Sequence, residues 1–191
     1  MWSSRDIALI TMFAVLSFIN FAVVLQTFTL LTGIQGIGYG VDIIGAILAT
    51  VGFLMFQGRR WRIAVGGILL YFLSLPLDFG GGSFNVIIRI TIILKMFIKD
   101  IVINSFYGYF ERRNKMIWLA IGQSVYFSMI SPFFDILFFS LFVPFEILAP
   151  LLILVIFMLP LILGVSLTGG YIGYKIYKRL EKLPLPVESI H

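Results

Sequence analysis

Cysteine is absent from the 191 residues, and the single histidine, His191, is the last of them. The first absence excludes a disulfide, a thiol nucleophile and a cysteine metal site. The second excludes imidazole chemistry within a membrane, and His191 is expected to be frayed. Charge is scarce as well. Asp, Glu, Lys and Arg make up 12% of the chain, against about 25% in soluble domains. Nucleotide motifs are missing: there is no G-x-x-x-x-G-K-[ST] and no G-x-G-x-x-G. The glycine run Gly80–Gly82 in DFGGGSFN, residues 78 to 85, therefore reads as a flexible turn. No motif pairs carboxylates for acid–base work, so neither an enzyme, a cofactor nor a metal site is expected.

What is present is apolar surface. Hydrophobic residues are 60% of the chain and the mean hydropathy is +1.06. This is the composition of an integral membrane protein. The expected fold is all-α: a compact bundle of six transmembrane helices in one domain, residues 1–182, with a short disordered tail at 183–191. The first span runs from about Arg5 to Leu25, with no cleavable signal evident. The second covers Val41–Phe56, the third Ile63–Leu77 and the fourth Phe84–Phe110. The fifth starts near Met116 and reaches Pro132 or somewhat beyond, since a proline bends or ends a helix. The sixth covers Ile147–Lys178. Between the first two lies Gln26–Tyr39, rich in Thr, Gln and Gly, which reads as a long loop: a lid over a pocket or an ordinary surface loop. Gly45, Ala49 and Gly52 make a small-residue stripe suited to helix packing, and Gly169 and Gly173 form G-x-x-x-G.

The fourth span is unusual because it carries Arg89, Lys95, Lys99 and Asp100. A charge near mid-bilayer costs at least ~2.5–3.5 kcal/mol on insertion scales, so these side chains face protein, water or a ligand. At 100° per residue Arg89 and Asp100 lie about 20° apart around the helix and roughly 16 Å apart along it. Lys95 and Lys99 stack at i,i+4 and repel unless neighbouring helices answer them. Asp135, in the aromatic run PFFDILFF, needs a partner that Arg89 or Lys95 could supply. Buried ion pairs that set helix register remain a full alternative to a ligand role.

Charge also orients the chain. With the N-terminus in the cytoplasm, eleven of the fourteen basic residues fall on that side: Arg5, Arg59, Arg60, Arg62, Arg112, Arg113, Lys115, Lys175, Lys178, Arg179 and Lys182. The other three are the cations of the fourth span. This is the positive-inside pattern. Trp2, Trp61 and Trp118 sit beside the basic clusters as interfacial anchors. Because the clusters flank a membrane, the net charge of +5 is no sign of nucleic-acid binding. The outer side instead gathers polar groups: Gln35, Tyr39, Asp42, Asp78, Asn85, Arg89 and Asp135, with Gln123 and Tyr126 on one face of the fifth span. Convergent polar groups within aromatic walls are what a small-molecule pocket needs. Asp42 also has a local role as an acid at a helix start. Acids and bases balance within the spans, which disfavours a strongly anionic ligand.

Two stretches carry a family resemblance: the opening RDIALITMFAVLSF and the close GGYIGYKIYKRLEK. With the size, the six spans and both ends inside, the chain resembles a substrate-binding S component of an energy-coupling factor (ECF) transporter. The resemblance implies capture of a vitamin or related micronutrient from outside, in a pocket under the 26–39 loop, in the cell membrane. It implies docking on a transmembrane coupling subunit driven by two cytoplasmic ATPases. Ala8, Thr11 and Val15 offer the small stripe for that docking, in place of the family's A-x-x-x-A. A different class also fits: an autonomous secondary transporter or channel, with Lys95, Lys99 and Asp100 lining the path.

Overall fold

The computed structural model describes residues 2–33, 41–76 and 86–182. Among them are six helices and no strand. We number these α1 (Ser4–Thr32), α2 (Ile43–Met55), α3 (Arg62–Ser74), α4 (Val86–Arg112), α5 (Met116–Phe139) and α6 (Phe145–Leu180). By length and apolarity α1, α5 and α6 can cross a membrane. α2 and α3 have 13 residues each, or about 20 Å, short of the roughly 30 Å hydrocarbon core. α4 has the length, with 27 residues, but carries the four charges. The tail at 183–191 lies outside the described residues.

One boundary differs from expectation. The first seven residues of the expected loop, Gln26–Thr32, are helix and continue α1. Their threonines read as loop by polarity, yet Thr27 Oγ1 donates back to the Val23 carbonyl and stays within the helical pattern. α5 continues beyond Pro132, to Phe139. It does so through a π-helical turn, Tyr126–Ile130, directly before the proline. A proline ring collides with the carbonyl four residues earlier, and a wider turn relieves that collision. α1 contains a second π-helical segment, Asn20–Leu25.

Local chemistry explains the helix starts. Ser3 and Asp6 form a reciprocal capping box that begins α1. The Asp6 carboxylate then accepts from Arg59 at 3.0 Å and Arg62 at 3.1 Å. The Arg62 guanidinium also lies over the Trp2 ring. One acid thus clamps the start of α1 to the basic hinge between α2 and α3. α3 has no side-chain cap of its own; it begins after Trp61, which is in the left-handed region at φ 72°. Its cap comes from α4. The Asp100 carboxylate accepts from the Trp61, Ile63 and Ala64 amides at 2.9, 2.9 and 3.0 Å, and from Asn104 Nδ2 at 2.7 Å.

The main core fills the end of the bundle that carries the basic segments. Ile10, Phe53, Leu54, Ile63, Tyr107 and Leu119 are buried there. α2 packs on α6, α3 on α4, α5 on α6, and α1 on α2 and α3. α2 and α6 approach closely. A Cβ built on Gly169 would lie 2.6 Å from Ala46 Cβ, and one on Gly173 would lie 2.8 Å from Thr50 Cβ. The G-x-x-x-G of α6 therefore docks on Ala46 and Thr50, one turn apart on α2. The stripe Gly45, Ala49 and Gly52, expected to pack against a helix, instead faces a cavity, with Gly52 also meeting the Phe13 ring of α1. Small residues keep that wall recessed.

Candidate functional site

A cavity of about 1220 Å³ lies among the helices, and all six contribute to its wall. Small-molecule sites commonly occupy about 300–1000 Å³, so a vitamin-sized ligand fits with room for water. Its surface is mainly apolar, from side chains such as Phe13, Leu48, Phe53, Met96 and Leu151. Polar groups are set into that lining at separate depths.

At one end are Asn20 and Asp42. Asn20 Nδ2 donates to Asp42 Oδ1 at 2.8 Å, and the Gly45 amide donates to the same oxygen at 2.7 Å. Asp42 thus caps α2 and orients Asn20. Because the carboxylate fixes which end of the amide faces it, Asn20 Oδ1 is left as a buried acceptor without a hydrogen-bond partner among the described residues. Arg89 is buried at the wall, 3% exposed. Further along α4, Lys95 Nζ donates to Asp135 at 2.7 Å and to Ser131 Oγ at 3.0 Å. Lys95, not Arg89, supplies this ion pair to Asp135. One turn deeper, Lys99 is 3% exposed, and its ammonium rests over the Phe127 ring, 4.9 Å from the centroid. Arg89 and Lys99 are ten residues apart, about 15 Å along the helix. The polar wall therefore extends across much of a membrane's half-thickness.

Both π-helical segments border this cavity. Asn20 and Phe21 come from the first, and Tyr126, Phe127, Ser128 and Ile130 from the second. Single π turns inside α-helices recur at functional sites, because the extra residue re-aims the side chains around it. Here they bring an amide and three aromatic rings to the same space.

Of the residues singled out from sequence, Asp42, Arg89, Tyr126 and Asp135 line this one cavity. Gln123 does not. It is fully buried between α2 and α5, where Nε2 donates to Thr50 Oγ1 at 2.7 Å, a packing contact. Gln35, Tyr39, Asp78 and Asn85 lie outside the described residues. Ala8, Thr11 and Val15 are all exposed on the outer face of α1. Asp100 faces the start of α3 and is not among the residues lining the cavity, whereas Lys95 and Lys99 are. Asn20 and Phe127 were missed. Asn20 is a lone amide in an apolar run, a signal that was available; Phe127 is one of 20 phenylalanines and offered none. Among the described residues no group of His, Cys, Asp and Glu is placed to hold a metal ion. In comparisons with protein-family models, with curated proteins and with solved structures, nothing matches this chain.

Proposed function

We propose that the protein is the membrane-embedded substrate-binding subunit of an ECF-type uptake transporter. It crosses the cell membrane six times with both ends in the cytoplasm. It captures a vitamin or related micronutrient from outside, without catalysing a reaction, and releases it through a transmembrane coupling subunit driven by two cytoplasmic ATPases. The observation that carries this reading is a large, mainly apolar cavity with a few polar groups set into its wall, in a chain with no nucleotide motif. Supporting it, the cavity is walled by all six helices and rests on the main core, whose Ile10, Phe53, Phe56 and Ile63 form part of its lining. The exposed strip Ala8, Thr11 and Val15 is available for docking on a partner. The short helices α2 and α3 are spans in a protein whose inner face is covered by that partner.

Thermal unfolding of the purified protein against a vitamin panel tests the reading. A ligand at a hundred times its Kd stabilises by about 2.7 kcal/mol, which for this length raises Tm by about 5–10 °C. Mass spectrometry of the same preparation identifies molecules that co-purify. No shift with any compound, together with proton-coupled flux in liposomes holding this protein alone, would overturn the proposal in favour of an autonomous transporter.

A further inference from the structure

We infer that the captured molecule is a water-borne monocarboxylate with a compact apolar body, and that Lys99 is its anchor. The inference rests on the capture reading above and adds the chemical class of the substrate. Its basis is one ammonium without a counter-charge. Each other charge at the cavity wall is engaged. Arg62 is paired with Asp6, and Lys95 with Asp135. Asp42 accepts from Asn20 and the Gly45 amide. Arg89 has an interaction of its own. Lys99 lies on the Phe127 ring, and no ion pair or hydrogen bond reaches its ammonium among the described residues.

The acid next to it in sequence forms no ion pair with it. Asp100 is turned about 100° around α4 from Lys99 and is committed to three backbone amides and Asn104. An ammonium taken out of water and left without an anion is strongly disfavoured. The aromatic face offsets part of that cost. What remains is a site for one negative charge, supplied by whatever fills the cavity.

The charge number and the surroundings narrow the class. A phosphate ester brings about two charges and wants several donors or an arginine fork. Lys99 is a single point charge resting on the Phe127 ring, in a cavity whose wall is mainly apolar. A carboxylate matches it in charge, and the apolar lining matches a ring or branched aliphatic body. Asn20 Oδ1, the unpartnered acceptor elsewhere on the wall, would receive an O–H or N–H donor on the remainder of the ligand.

The test is a thermal-shift and calorimetric comparison on the full chain in nanodiscs. The probes are 3-phenylpropanoate, cyclohexanecarboxylate, pantothenate and biotin, each beside its primary amide, with octanoate as a fatty-acid arm. The inference expects at least one water-soluble carboxylate to bind the wild type at least tenfold tighter than its amide. In K99M that preference falls to within twofold, and in K99R it persists. Amides that bind as well as acids overturn the inference, and this arm needs no variant. Binding confined to octanoate overturns it too, since the occupant is then lipid-derived. A neutral vitamin that binds wild type and K99M equally defeats Lys99 as anchor while leaving capture intact. Failure of every acid, amide and neutral vitamin defeats both.

Discussion

Removing the Asp100 carboxylate is expected to unseat α3, and the size of the effect can be worked from its contacts. In the folded protein this side chain, 1% exposed, accepts three backbone amides at the start of α3. The substitution Asp100→Ala leaves those amides buried with no acceptor. A buried donor without a partner costs about 1–3 kcal/mol, and loss of a helix cap alone costs about 1 kcal/mol. Taking the low end for each amide gives a loss of about 3 kcal/mol. For a chain of this length that lowers Tm by about 6–12 °C. Asp100→Asn keeps one acceptor oxygen but turns an N–H₂ group toward an amide, so it falls between. The assay is intrinsic-fluorescence melting of the three proteins in one detergent at one scan rate. The expected order of Tm is wild type, then D100N, then D100A. If D100A melts within about 2 °C of wild type, the capping account is wrong. If it does so while transport is lost, Asp100 belongs to a conduction path after all.

Glycine at 173 should be intolerant: Gly173→Val drives a side chain into Thr50, costing about 1–3 kcal/mol by overpacking, whereas Gly164→Ala, with open space at its Cβ, should leave the melting temperature unchanged. An equal loss from both would show that the α2–α6 contact is not the tight one. Lys95→Met removes the cation paired with the Asp135 carboxylate, 7% exposed at its side chain, and should cost about 3 kcal/mol. Lys95→Met combined with Asp135→Leu should recover most of that loss, and a double variant no better than the single one would refute the pairing as the cause.

Much of the helical plan was legible in sequence, because apolar runs and basic breaks mark where helices start and stop. The breaks at 57–62 and 111–115 fall between α2 and α3 and between α4 and α5 as read. Periodicity also identified which residues share a face, but not which neighbour that face meets. Gly45, Ala49 and Gly52 do form one stripe, yet the stripe looks into the cavity while Ala46 and Thr50, a quarter-turn away, receive α6. The role of Asp100 was hidden for a different reason. Its partners are backbone amides, which every residue but proline carries, so no side-chain pattern announces them. The π segments have no compositional signature; only Pro132 hinted at the second. The Asp135 carboxylate could be assigned a cationic partner but not which one, since choosing between Arg89 and Lys95 depends on helix rotation.

The docking of α6 on α2 has a consequence for biogenesis. α6 supplies Ile147, Leu148, Pro150, Leu151 and Leu154 to the cavity wall and meets helices made long before it. A nascent chain that ends at the 140–144 turn has five helices but an unfinished receptacle. The cavity wall is therefore closed only once α6 has been made, and a product truncated at that turn would lack one side of it.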